Sequence, residues 1–279
     1  RVMKEEEKHS PMTAGRVLLL ILDGISDRPC PELGGRTPLE AARTPVLDRL
    51  AREGICGIMD PICPGVRPGS DTAHLSILGY PPDRYYTGRG PLEAEGCGIH
   101  MEPGMIGFRV NFATLDPAGR VLDRRAGRIQ GTVPLCDAIE EGVRLRHGIS
   151  LRLRPGAGHR AALALKGRNL GYCVSGNDPK AEGVEPPEVR PLTGEARDRR
   201  TAEACNDLLG QARAILSDHP VNRSREREGL PPANALLIRG AGEMGRFEPF
   251  AERYHMRGSV IAAATLITGI GRAVGLEVV

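Results

Sequence analysis

Two stretches of the chain hold residues whose types and spacing could do chemistry together. Pro68-Gly69-Ser70-Asp71-Thr72-Ala73-His74-Leu75 is a glycine turn that delivers a serine to the start of a helix. Arg16–Gly24, RVLLLILDG, is an apolar run that ends in Asp23. A carboxylate at a strand's end and a hydroxyl at a helix N-terminus, both on one edge of a sheet, suit a metal-assisted serine nucleophile that takes up a phosphoryl group. A divalent cation held by Asp23 would lower the pKa of the Ser70 hydroxyl, and the helix N-terminus would receive the phosphate oxygens. Taken singly, Asp23 reads equally as a turn residue and Ser70 as an ordinary N-cap. The pair carries the signal.

Basic residues beside glycines form a second set. Asp123-Arg124-Arg125-Ala126-Gly127-Arg128 brings three guanidiniums together, and arginine forks grip carboxylate and phosphate in bidentate fashion. Gly158-His159-Arg160 and Arg239-Gly240-Ala241-Gly242 place basic side chains where backbone amides can approach an anion. Each also reads as a solvated charge run. Thr87-Gly88-Arg89-Gly90 is a tight turn carrying an arginine, as much a surface loop as an anion contact. His74, one turn after Ser70, reads as a packed or solvent-facing histidine ahead of a ligand, and Asp71 as a first-turn partner of the helix dipole. No P-loop motif is present, and no G-x-G-x-x-G follows the first strand, which argues against a dinucleotide site.

The composition bounds the reading. With 279 residues, 40% hydrophobic and 26% charged, the chain can bury a substantial core. No run of about 18 apolar residues suggests a membrane span. The polar start RVMKEEEKHSPM has no apolar core of a signal peptide, so residues 1–15 are expected to form a tail and the protein to be cytoplasmic. A net charge of +3 with no Trp, 4 Phe and 5 Tyr gives no support for a nucleic-acid partner. Seven scattered cysteines without a C-x-x-C pair read as reduced thiols rather than a zinc site.

Apolar patterning supplies the elements that must position these groups. Val17–Leu22 and Ile55–Met59 read as strands, the first buried on both faces. Thr44-Pro45 opens a helix with a stripe of Val46, Leu47, Leu50 and Ala51, closed by Gly54. Ser70–Leu78 is a second helix, with Ala73, Ile77 and Leu78 inward. These alternating units predict an α/β fold with a doubly wound, mostly parallel sheet. Beyond Leu115 the pattern changes. Leu151, Leu153 and HRAALALK (159–166) read as antiparallel strands with one wet face, 177–191 as an exposed loop, and Thr201–Ser217 as an amphipathic helix. Ala235–Ile238 reads as a buried strand, Ser259–Ile267 as an apolar helix, and Leu276–Val279 as the start of a strand. The expected organisation is a main domain of residues 16–119 plus 228–279 and an inserted smaller α+β cap domain of residues 120–227.

LLLILDG, then GGRTPLEAARTPVLDRLAREGICGIMDPICPGVRPGSDTAHLSILGY and YYTGRGPLEA, resemble the archaeal-type cofactor-independent (2,3-bisphosphoglycerate-independent) phosphoglycerate mutases of the alkaline phosphatase superfamily. FRVNFATLD, DRRAGRI, GHRAALAL, SDHPVN, GLPPANALLIRGAG and ITGIGRAVG continue the match in order, from about Arg16 to the last residue. The resemblance implies interconversion of 3-phosphoglycerate and 2-phosphoglycerate through a phosphoserine, with two divalent cations. Manganese is the first choice, ahead of magnesium, cobalt or zinc. It implies Asp23 as a metal ligand and Ser70 as ligand and nucleophile. Arg124, Arg125, Arg128, His159, Arg160 and Arg239 are the implied substrate-binding groups, with the cap closing to exclude water. The expected partner is a small phosphorylated three-carbon acid, with no nucleic acid or membrane, and a homo-oligomer is compatible.

Members of that family continue beyond the point where this chain stops, and their further metal ligands lie there. The chain is therefore expected to be a truncated form that does not bind both metals and is inactive alone. Two alternatives stand beside this reading. One is a metal-dependent phosphatase or phosphotransferase acting on another small phosphate ester. The other is a non-catalytic binding protein on the same fold.

Overall fold

A computed structural model describes residues 15–279. The expected N-terminal tail lies, up to residue 14, outside the described residues. The chain divides into two compact units at Met59/Asp60.

The first unit holds short helices and turns. A 3-10 turn at Pro31–Leu33 precedes α1 (Pro38–Ala41) and α2 (Pro45–Glu53). Thr37 and Glu40 cap α1 reciprocally: the Thr37 amide donates to Glu40 Oε2 at 2.7 Å and the Glu40 amide to Thr37 Oγ1 at 3.2 Å. Helix α2 begins at the expected Thr44-Pro45 and is closed by Gly54. The two strands expected here are not formed. Residues 17–22 and 55–59 carry no strand pairing among the described residues, and apart from the half-buried Ile21 their side chains are exposed, with Leu18 89% exposed. A central parallel strand draws its backbone bonds and its cover from neighbours on both sides. Composition shows that such a run could be buried but cannot supply the neighbours. The stripe of α2 is likewise exposed at Val46 and Leu50.

The second unit contains α3 (Ser70–Ile77), α4 (Pro82–Tyr85), α5 (Arg89–Gly96), β1 (Met105–Leu115), β2 (Val121–Asp123) and a 3-10 turn at Ala126–Arg128. Next come α6 (Val133–Gly142), β3 (Ser150–Pro155), β4 (Arg160–Lys166), α7 (Ala196–Ser217) and α8 (Pro220–Arg227). The unit closes with β5 (Ala235–Gly242), α9 (Phe250–Tyr254), β6 (Ser259–Val260), α10 (Thr265–Ala273) and β7 (Glu277–Val278). Helix α3 starts where the glycine turn predicted, although its most buried apolar residue is Leu75. Helix α7 starts five residues ahead of the expected Thr201. In place of an apolar helix over 259–267 the chain forms β6, which pairs in parallel with β7, and then α10.

The main sheet has β1 at its centre, flanked by β4 and β5, with β3 beyond β4 and β2 paired to the end of β1. All of these pairings are antiparallel. The fold is therefore mixed α/β as expected, but the doubly wound parallel sheet is absent from the described residues, where β6–β7 is the parallel pair. Strands from both sides of the boundaries expected at 120 and 227 share this one sheet, because β1 pairs with both β4 and β5.

One face of the sheet is apolar. Ile106, Phe108, Val110 and Phe112 of β1 point toward the same core as Leu163 and Leu165 of β4 and Ile238 of β5. Helices α6 and α7 cover them with Leu135, Ile139, Leu208, Ala212 and Leu216. Each fully buried Leu, Ile, Val or Phe side chain among them contributes about 1.5–3 kcal/mol. On the other face α5 lies against β1 at Gly90 and Gly107, where a Cβ on Gly107 would stand 2.6 Å from the Pro91 nitrogen. No residue but glycine admits so close an approach. Gly269 of α10 meets the Leu92 carbonyl of α5 in the same way.

Candidate functional site

The second face of the sheet carries the charged groups. Alternation along β1 puts Gly107, Arg109 and Asn111 on the side opposite the apolar core. Register then sets Arg109 directly opposite Arg239 of β5 and Ala162 of β4, and Asn111 opposite Arg160. Helix α5 adds Arg89 and Glu93. The buried Glu93 carboxylate accepts from Arg89 Nε at 2.8 Å and from Thr265 Oγ1 at 2.9 Å, and lies 3.8 Å from Arg109 Nε. Burial, and then the charges of Arg89 and Arg239, push the Arg109 guanidinium down to about 10 against the pull of Glu93, with Arg160 adding to the push. Its Nε, like Oδ1 of Asn111, is buried with no hydrogen-bond partner.

Arg124 and Arg239 meet at a second carboxylate. Asp178 accepts from Arg124 Nε at 3.0 Å and from Nη2 at 2.8 Å, and its Oδ2 lies 3.5 Å from Arg239 Nε. Burial alone would raise its carboxyl. The Arg124 hydrogen bonds, the Lys180 amide and the charges of both arginines outweigh it and hold the group below the usual range. The same contact holds Arg124 above its ordinary value. Five guanidiniums (Arg89, Arg109, Arg124, Arg160 and Arg239) are thus set against the carboxylates of Glu93 and Asp178. Such an excess of partly desolvated positive charge favours a multiply charged anion.

His159 and Arg125 border this group. Burial first, then Arg160, Arg125 and Arg109, push the imidazole down to about 4, against the weaker opposite pull of Asp123. The turn that carries Arg125 is held by Asp123, which accepts from the amides of Arg125 at 2.7 Å and Gly127 at 2.6 Å. Arg128 is exposed on that turn, and its side chain makes no ion pair among the described residues. Of the basic residues expected from sequence, the structure therefore gathers Arg124, Arg125, His159, Arg160 and Arg239 and leaves Arg128 at the surface. Sequence reasoning missed Arg109, Glu93 and Asp178, and weighed Arg89 without choosing it. The alternation of MIGFRVNFATL, apolar on one side and Arg109 and Asn111 on the other, was the available signal.

Ser70 opens α3 after the extended Gly69, whose amide donates to Thr72 Oγ1 at 3.1 Å. His74 donates from Nδ1 to the Ser70 carbonyl at 2.6 Å, so this buried ring braces the first helical turn. Asp71 is buried, accepting from the Thr72 amide at 3.0 Å and from the Tyr86 hydroxyl at 2.5 Å. Burial, then this hydrogen bond, raises the Tyr86 phenol far above its ordinary value, so it stays a donor. Arg89 acts on the same phenol in the opposite direction. The helix that carries Ser70 is tied by Tyr86 to the segment leading into Arg89.

Asp23 belongs to the first unit, in a turn with Gly24 at φ +79°, whereas Ser70 belongs to the second. Among the described residues no group of three or more His, Cys, Asp or Glu side chains could hold a metal ion. Asp23 and Ser70 fall short of the roughly six oxygen ligands that a magnesium- or manganese-like ion takes. The residues present therefore do not fit the two-ion site that the resemblance implies. All seven cysteines are free thiols. No described helix is long and apolar enough to cross a membrane.

The profile of the 2,3-bisphosphoglycerate-independent phosphoglycerate mutases matches residues 51–222. The chain belongs to that family. A 2,3-bisphosphoglycerate-independent phosphoglycerate mutase of Methanoculleus marisnigri is 65% identical over 267 residues, covering 95% of this chain and 65% of the relative. One from Methanopyrus kandleri is 50% identical over 269 residues, covering 94% and 63%. The chain thus spans a little under two thirds of the length of these relatives. Among solved structures, a cofactor-independent phosphoglycerate mutase from Thermoplasma acidophilum superposes with a TM-score of 0.63 at 42% identity, over 92% of this chain and 67% of the other. A Pyrococcus horikoshii protein gives 0.72 at 37% identity, over 93% and 60%. The stretch matched by the phosphoglycerate mutase profile contains Ser70, Arg89, Arg109, Arg124 and Asp178.

Proposed function

We propose that this chain binds phosphoglycerate on the arginine face and serves an enzyme that interconverts the 3- and 2-isomers through a phosphoryl group carried on Ser70. The observation that carries the reading is the set of five guanidiniums against two carboxylates on one sheet face. Phosphoglycerate offers matching charge at two ends, a carboxylate and a phosphate. Guanidinium forks on both would fix the glycerate backbone while one bond is exchanged for another.

In the first transfer the Ser70 oxygen bonds to phosphorus, the bond from phosphorus to the 3-oxygen breaks, and the serine proton ends on that oxygen. In the second the 2-hydroxyl oxygen bonds to phosphorus, the bond from phosphorus to the Ser70 oxygen breaks, the hydroxyl proton returns to Ser70, and 2-phosphoglycerate is left. Donors preset around the phosphoryl oxygens stabilise the charge that develops on them. A neutral His159 at the edge of the cluster adds no further positive charge at neutral pH.

The alkaline-phosphatase-like architecture, a cap that closes over the glycerate, a cytoplasmic location and two manganese-like ions belong to the same proposal.

Calorimetric titration of the chain with 3-phosphoglycerate, 2-phosphoglycerate and inorganic phosphate tests the binding step. Both isomers should bind at least about tenfold more tightly than phosphate, a difference of about 1.4 kcal/mol. Failure of either isomer to bind, or affinities equal to that of phosphate, would overturn the reading. Analysis of products then separates isomerisation from release of free phosphate.

A further inference from the structure

We propose that Asp178 is a positioning residue that sets Arg124 and Arg239 as one two-guanidinium receptor for a single oxyanion group of the ligand. The inference rests on the phosphoglycerate reading above and assigns a task to a residue which that reading does not use. Its basis is the direction from which Asp178 engages each arginine. The contact with Arg124 is side-on, through Nε and Nη2, and the contact with Arg239 is through Nε. A guanidinium has five N–H donors in a fixed plane, so a side-on partner leaves the far end of the fork available. Among the described residues no hydrogen bond uses Nη1 of Arg124 or the terminal nitrogens of Arg239. Both side chains keep partial access to solvent, 22% and 34%, whereas the Asp178 side chain is 1% exposed. A buried carboxylate thus holds two arginines from different elements by their flanks and leaves their ends open.

The position of Asp178 is itself fixed. Its neighbour Asn177 is buried and hydrogen-bonded to β5 through both its backbone and its side chain. The Asn177 amide donates to the Ile238 carbonyl at 3.1 Å, its Nδ2 to the Leu236 carbonyl at 3.1 Å, and its Oδ1 accepts from the Ile238 amide at 2.6 Å. Gly176 packs on the backbone of Arg239, where a Cβ would stand 3.1 Å from its Cα. Residues 176–178 therefore travel with the strand that carries Arg239, and Asp178 brings Arg124 to them.

The test compares Asp178→Asn with the parent chain by calorimetry against 3-phosphoglycerate and inorganic phosphate. Phosphate can settle on any free guanidinium, whereas phosphoglycerate needs two anion sites at a set spacing. Asp178→Asn should therefore weaken 3-phosphoglycerate by about tenfold or more and change phosphate by less than about threefold. A general structural defect would weaken both alike, and that result would overturn the inference. So would parent-like affinity for 3-phosphoglycerate. Where circular dichroism shows Asp178→Asn to be unfolded, Arg124→Lys serves as the second variant. It keeps the charge but lacks the flank, and should show the same selective loss. Failure of the parent chain to bind 3-phosphoglycerate would overturn the underlying reading, an outcome separate from a failure confined to Asp178.

Discussion

Arg109 and Arg239 stand directly opposite one another on adjacent antiparallel strands, on the face of the sheet turned away from the apolar core. Like charges placed this way cost the fold stability, and Glu93 and Asp178 each answer only part of the repulsion. Arg109→Met keeps an unbranched apolar stem in place of the side chain and removes one charge. It should raise the stability of the ligand-free protein by about 0.5–1 kcal/mol and weaken phosphoglycerate binding by at least about tenfold. Urea unfolding with and without ligand reads both effects, and a variant that lost stability without ligand would contradict this account.

Asn177→Ala should be costly for a different reason. The substitution removes two hydrogen bonds of a buried amide and leaves the Leu236 carbonyl and the Ile238 amide without those partners. The expected loss is about 2–4 kcal/mol in urea unfolding, from the two unsatisfied backbone groups together. A loss below about 1 kcal/mol would show that water replaces the side chain there.

The imidazole of His159 supplies a pH signature. Its folded value of about 4 lies below the ordinary 6.5, so the unfolded chain binds more protons between the two. Stability from this group is present above 6.5 and is lost as pH falls toward about 4. His159→Gln should flatten the stability profile in that window. A proton NMR titration should find the ring depressed in the free protein and raised on addition of phosphoglycerate, whose negative charge favours the imidazolium. A ring that titrates at its ordinary value in the free protein would remove the basis for both expectations.

Tyr86→Phe removes one hydroxyl and leaves the ring in place. Asp71 then keeps a buried carboxylate oxygen without its donor, which should cost about 1–3 kcal/mol. Because this hydrogen bond ties the Ser70 helix to the segment before Arg89, amide exchange in residues 70–74 should speed up more than in β4. Equal acceleration in both places would point to a global loss instead.

Much of the second unit was legible because its elements carry their own punctuation. The Gly69-Ser70 start of α3, the 3.6-residue stripe of α7 and the existence of strand β4 each follow from local chemistry, although β4 is buried on both faces rather than on one. The run Val17–Leu22 shows the opposite case. Its composition matches a buried strand, yet burial depends on partners that no local pattern reveals, and here it is exposed. The site divides along the same line. Arg124, His159, Arg160 and Arg239 stood out because they sit beside glycines or other basic residues. Arg109, Glu93 and Asp178 are isolated charges in sequence, from positions 93, 109 and 178, and only strand register and helix packing bring them together.

The contact between α5 and β1 at Gly90 and Gly107 has a mechanical consequence. Main chain rests on main chain there, with no side chain between to rotate or compress. Arg89 and Arg109 are therefore mounted on one stiff block, and a ligand that pulls on either moves both. Their separation is governed by backbone dimensions, which do not relax over a few tenths of an ångström as rotamers do, so a ligand of the wrong length would meet resistance from the scaffold itself.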